Sequence, residues 1–173
     1  MKKVFSFDAE TNGLWGQAFQ IAAVVYDEQG NEIDRLSGRC GIKGETNAWV
    51  AENVIPNIAH IDITHSGYHS MLRDFAVFYK GYKDSADIIA HMGYIVESKV
   101  IRDMQDLGFI GDWDAPYPLF DVSGNLQQAG FNPTSCDEYA KNQGIELPEG
   151  TSHDAIYDCI VAAKVYRHLR GWA

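Results

Sequence analysis

The chain has 173 residues, of which 46% are hydrophobic and 12% aromatic, and a formal net charge of −10. That length is enough for one domain with a substantial core, and the composition excludes disorder. The acidity excludes a broad basic surface for long duplex DNA, but it leaves room for a small nucleic-acid site in which bound cations reverse the local field.

The opening stretch "KKVFSF" (2–7) reads as a β-strand that runs into Asp8 and Glu10. Strand residues two apart share a face, so the two carboxylates would converge on one spot. Like charges that close need a proton or a cation between them. The bland alternative is a strand that ends at Phe7, with both acids in water. The apolar run 17–27 and the imperfectly alternating 31–42 flank a turn at Glu28–Asn31, which gives an antiparallel three-strand meander. A short helix over 48–54, stopped by Pro56, follows. Helical spacing covers 70–82, a short buried strand 85–92, and a helix 95–108 closed by Gly108. Residues 112–121 form a proline-containing loop leading to a short strand that ends at Asp121. A helix over 135–145 stops at Gly144, and a last helix spans 151–171, with Thr151 and Asp154 spaced as a capping box. The order of elements predicts an α/β domain over residues 1–173 with a mixed sheet.

No window approaches the apolar length of a membrane span, so no membrane partner is expected. Lys2 and Lys3 do not head a signal peptide, because Asp8 and Glu10 interrupt the segment behind them. Cys40, Cys136 and Cys159 are odd in number and lack metal-type spacing. They read as thiols of a reducing, cytoplasmic protein.

Acids recur at the starts of two later helices. Glu97 follows His91 at the head of the helix over 95–108, with Asp103 further along it. Asp154 and Asp158 are four apart at the head of the last helix, after His153. Asp154 and Glu97 are each also explained as helix-start acids favoured by the dipole. Asp158 lies among Ile156, Cys159, Ile160 and Ala162, where a buried carboxylate needs a partner or a metal. His153 taken singly reads as a surface or capping histidine.

Together, "FDAET", "HMGYIVE" and "SHDAIYD" resemble the three blocks of the DEDDh 3′→5′ exonucleases, a family on the ribonuclease-H-like fold that includes oligoribonuclease, ribonuclease T and proofreading subunits. Asp8-x-Glu10-Thr11-x-Gly13 matches the first block and His153-x-Ala155-x-x-Asp158 the third, in an order that covers nearly the whole chain. The middle block departs from the family form. Met92 stands in place of Asn, and Val96, not Asp, lies five residues after His91. Glu97 is the nearest acid and is preferred over Asp103, which would have to reach back nearly two turns.

The resemblance implies a mixed sheet, an antiparallel three-strand meander plus parallel strands, flanked by helices. It also implies two-metal hydrolysis of phosphodiester bonds in single-stranded RNA or DNA from the 3′ end, releasing nucleoside 5′-monophosphates. Asp8, Glu10, Glu97 and Asp158 would hold two Mg²⁺ or Mn²⁺ ions, for which hard oxygen ligands are suited, and His153 would be the general base. By the same resemblance Thr11, Asn12, Gly13 and Leu14 would hold the 3′-terminal nucleotide. Leu14 or Trp15 would lie against a base, although Trp15 and Trp49 are each also explained by ordinary packing. A non-catalytic relative that kept the fold is the competing class, supported by the altered middle block. A ribonuclease-H-type endonuclease is a third reading. The sequence leaves open RNA against DNA and whether the chain forms a homodimer.

Overall fold

A computed structural model describes residues 2–172. Five strands form one sheet in the order β3-β2-β1-β4-β5: β1 (Lys3–Thr11), β2 (Ala18–Tyr26), β3 (Glu32–Arg39), β4 (Ala86–Ala90) and β5 (Phe120–Asp121). The first three make the antiparallel meander, and β1–β4 and β4–β5 are parallel pairs. The meander follows from its tight turn. At Asp27–Asn31 the Asp27 carboxylate accepts from the Gln29 and Asn31 amides, and Gly30 takes a positive φ of 92°. The exposed β3 edge carries Glu32, Asp34 and Arg35, charges that keep an open edge from pairing with another chain.

Alternation along β1 divides the core in two. Phe5, Phe7 and Ala9 face one side, with Ile21, Ala23 and Val25 of β2. They are covered by α3 (Tyr68–Lys80) and α4 (Val96–Asp106). Phe5 and Phe7 approach Phe75 of α3 with ring centroids 6.3 and 5.5 Å apart. The even positions face α7 (Ala155–Leu169), with Val4, Ala22, Val24 and Ile89 in the second core. That helix is apolar almost all round because the sheet covers one side of it, and α5 (Val122–Gln128) and α6 (Cys136–Gln143) pack on the others.

β1 pairs through Thr11, with a register shift between Glu10 and Thr11, so Asp8 and Glu10 lie on the strand and the alternative in which it ends at Phe7 falls. Several elements differ from the sequence reading. Pro56 does not close a helix. It sits at the start of the short α2 (Ile55–Ile58), which follows α1 (Ala48–Asn53), because a first-turn proline gives up an amide that has no partner there. The last helix begins at Ala155, and its N-cap is Asp154, whose side chain accepts from the Ile156 amide; Thr151 caps nothing there. Helix α5 has no expected counterpart. It is only seven residues long and is capped by Asp121.

Candidate active site

The C-terminal ends of the parallel strands β1 and β4 open onto a cavity of about 880 Å³, closed on its far side by the start of α7. Asp8 and Glu10 enter it from β1, Glu97 from α4, and Asp158 and His153 from α7 and its entrance. Three of these come especially close, since Glu10, His153 and Asp158 each offer one donor atom within 4.8 Å of the others.

Each acid is placed by a specific piece of backbone. Glu97 is 3% exposed, and its Oε1 accepts from the Ala9 amide at 3.2 Å, the residue between the two strand acids. It reaches that point because the chain turns sharply after β4. Met92 takes a φ of 56°, and the Asp121 carboxylate accepts from the Met92 and Gly93 amides at 3.1 and 3.0 Å. Gly93 is required here, because a Cβ would lie 2.9 Å from the Ala90 Cβ. Asp103 stays away from the cavity. Its Oδ2 accepts from the Tyr68 hydroxyl and from Lys99 Nζ, each at 2.6 Å.

At the head of α7, His153 lies outside the helix at a φ of 67°, and its amide donates to Asp158 Oδ2 at 2.9 Å. A continuous helix from Thr151 would turn the two side chains well apart; the non-helical entrance brings them together. Asp154 points away into the sheet, where its Oδ1 accepts from Gln20 Nε2 at 2.9 Å. Gln20 is the β2 partner of Glu10, so this bond ties the helix start to the strand that carries the acids. Asp137 adds a second tie, accepting from Ser152 Oγ and the Tyr157 hydroxyl. The Trp49 ring meets the His153 ring edge-on, with centroids 5.3 Å apart.

Of the expected nucleotide-binding residues, Thr11, Gly13 and Leu14 line the cavity. Asn12 instead braces the wall, accepting from the Asn47 amide at 2.7 Å and donating to the Glu45 carbonyl at 2.9 Å. Trp15 and Trp49 are exposed, which overturns their reading as packing residues. Gln20, Asp121 and Asp137 support the site without any signal in the sequence, because their roles come from residues far away along the chain.

Burial raises the pKa of every acid in the group. Glu10 and Glu97 are pushed up to about 8 and Asp158 to about 7, chiefly by desolvation and then by neighbouring carboxylates. Asp8 is raised well above its ordinary value by burial, followed by the charges of Glu97 and Asp158. For Glu97 the amide of Ala9 acts in the opposite direction, favouring the charged form. Among the described residues no lysine or arginine forms a salt bridge with Asp8, Glu10, Glu97 or Asp158. A group of desolvated oxygen donors with no cationic partner fits hard divalent cations such as Mg²⁺ or Mn²⁺.

Neither a protein-family model nor a curated protein sequence matches the chain. Solved structures do. Escherichia coli exonuclease I in complex with a dA16 oligonucleotide superposes with a TM-score of 0.60 at 17% identity, covering 97% of this chain and 41% of that one. The same enzyme with a dT13 oligonucleotide gives 0.61 at 17% identity, covering 99% and 42%. Exonuclease X in complex with 5′-overhanging duplex DNA gives 0.57 at 16% identity, covering 99% and 92%. The chain spans about two fifths of exonuclease I and nearly all of exonuclease X. It has the ribonuclease-H-like fold of these exonucleases, a mixed five-stranded sheet flanked by helices.

Proposed function

We propose that the protein is a metal-dependent 3′→5′ exonuclease acting on single-stranded nucleic acid and releasing nucleoside 5′-monophosphates, with residues 1–173 as its exonuclease domain. The observation that carries this reading is the convergence of Asp8, Glu10, Glu97 and Asp158 with His153 on one open cavity. The likeness to two exonucleases bound to DNA agrees with it.

In this proposal the four carboxylates hold two Mg²⁺ or Mn²⁺ ions. Those ions, when bound, supply Lewis-acid polarisation of the phosphate and of a water molecule. His153 would take the proton of the attacking water as its oxygen bonds to phosphorus; the bond from phosphorus to the 3′ oxygen of the preceding nucleotide breaks, and that oxygen takes a proton from solvent to leave a new 3′ hydroxyl. The bond from the His153 amide to Asp158 keeps base and ligand in register, and Trp49 restricts the imidazole. Glu97, held by the Ala9 amide, takes the third acidic position, while Asp103 remains a structural partner of Lys99 and Tyr68. Thr11, Gly13 and Leu14 contact the 3′-terminal nucleotide, and Asn12 holds their wall in place.

The test is digestion of 5′-labelled single-stranded RNA and DNA with Mg²⁺, Mn²⁺ or EDTA. A shortening ladder that appears with metal and vanishes in EDTA is expected. Unchanged cleavage in EDTA would remove the metal mechanism, and efficient cutting of a circular strand would make the enzyme an endonuclease. No cleavage with either metal would leave a non-catalytic binding module.

A further inference from the structure

The walls of the cavity combine carboxylates with apolar and aromatic side chains, and among the described residues no lysine or arginine lines it. Several cations elsewhere are already engaged, and the exposed Lys141 of α6 does not line the cavity. Arg35, Lys83, Lys99 and Arg102 pair with carboxylates, while Arg39 and Arg167 donate to backbone carbonyls. Lys43 is exposed on the loop whose Glu45 carbonyl holds Asn12, but Glu45 stands two residues from it. Any cations held by the acid cluster would neutralise the phosphate under attack. The chain as a whole carries a net charge of −10, so the phosphates further along a strand meet no overall positive excess. Affinity for long single strands normally comes from a cationic groove following the backbone.

The cavity has two exposed apolar lips instead. Leu14 and Trp49, 65% and 55% exposed, stand on the β1–β2 loop and α1. Tyr94, 78% exposed, and Met92 line it from the β4–α4 turn fixed by Asp121. Rings presented to solvent at the mouth of a cavity are suited to stacking against bases, an interaction that needs no charge. The volume of the cavity is that of a small-ligand site.

Resting on the proposed nuclease activity, we infer that a short oligonucleotide is already a full substrate, held by its terminal bases at these lips and not by its backbone. Tyr94 is a specificity-determining residue of this grip. Strand length beyond the bases at the lips adds nothing to recognition, because no cationic wall receives the added phosphates.

The experiment compares kcat/KM per 3′ end for a trinucleotide and a twenty-nucleotide strand of the same 3′ sequence, with Mg²⁺ or Mn²⁺. Binding of the same two labelled oligonucleotides is measured in Ca²⁺ between about 50 and 200 mM salt. Values within about threefold for the two lengths are expected, with less than about tenfold weakening across the salt range. Tyr94→Ala is expected to raise KM about tenfold at both lengths while kcat holds, the scale of one stacked base. A preference of tenfold or more for the long strand overturns the inference and leaves the nuclease reading standing. A loss of about a hundredfold in binding with salt, or a Tyr94→Ala variant with unchanged KM, overturns it in the same way. Absence of cleavage at both lengths overturns the nuclease reading and this inference together.

Discussion

The two faces of β1 solve opposite problems with the same backbone. Phe5 and Phe7 pack into the aromatic rings of α3, where burial is favourable on its own. On the other face Ser6, Asp8 and Glu10 turn towards α7, and their burial is unfavourable. The Ser6 hydroxyl has no hydrogen-bond partner among the described residues, and the two acids hold protons well above the usual range. One face supplies stability, and the other spends part of it to keep charge-bearing groups desolvated at one place. Helix α4 repeats the contrast, with Glu97 desolvated at the cavity and Asp103 paired on the outer side.

The sharpest way to separate the faces is to neutralise the polar one. Asp8→Asn should reduce nuclease activity by on the order of 10³-fold or more, since a lost metal ligand is worth several kcal/mol. The same change should raise the thermal midpoint of the metal-free protein in EDTA, because it removes a desolvated carboxylate. A lower midpoint would show that Asp8 is compensated in the metal-free fold. Glu97→Gln should behave alike, whereas Asp103→Asn should keep activity within about threefold of wild type, as expected away from the reacting atoms. The reverse ranking would move the third acidic position to Asp103.

On the apolar face Phe5→Ala should cost about 3–5 kcal/mol of unfolding free energy, read by denaturant titration. Activity per folded molecule should change little. A larger effect on activity than on stability would mean that the two faces are mechanically coupled.

The pH dependence gives a smaller and more graded test. In the metal-free fold Glu10 and Glu97 titrate at about 8, against an ordinary value of 4.5. The folded state therefore binds more protons between those limits. Its stability from this source is fully present below about pH 4.5 and is lost as pH rises through 8. Glu10→Gln should flatten that decline, and Mg²⁺ should offset it at the alkaline end, where deprotonated ligands bind best. Equal slopes for variant and wild type would contradict the raised value of Glu10. The smallest effect is expected from Ser6→Ala. Removing an unpartnered buried hydroxyl should be neutral or stabilising by under about 1 kcal/mol.

Much of this architecture is legible in local sequence pattern. An apolar run and an imperfect alternation around a turn gave the meander, helical spacing gave α3, and glycines marked the ends of α4 and α6, with Gly144 in the left-handed region. The spacing of Asp8 and Glu10 dictated a shared face once a strand was assumed. Short elements were not legible, because α2 and α5 have too few turns for a period to register and are stabilised by packing and caps.

By itself the sequence determined an α/β chain with acids at one strand end and at two helix starts, because period and parity depend only on neighbouring residues. Whether the strand continued through Glu10 depended on β2, which pairs with it as far as Ala18. That Glu97 and not Asp103 faces the cavity was decided by Asp121, Gly93 and the Ala9 amide, groups up to 88 positions from Glu97. The position of His153 beside Asp158 was decided by a helix that starts only at Ala155, held by Gln20 from 134 positions away. Tertiary contacts settled these points because a buried carboxylate goes where distant donors and desolvation leave room for it, and no local pattern encodes that.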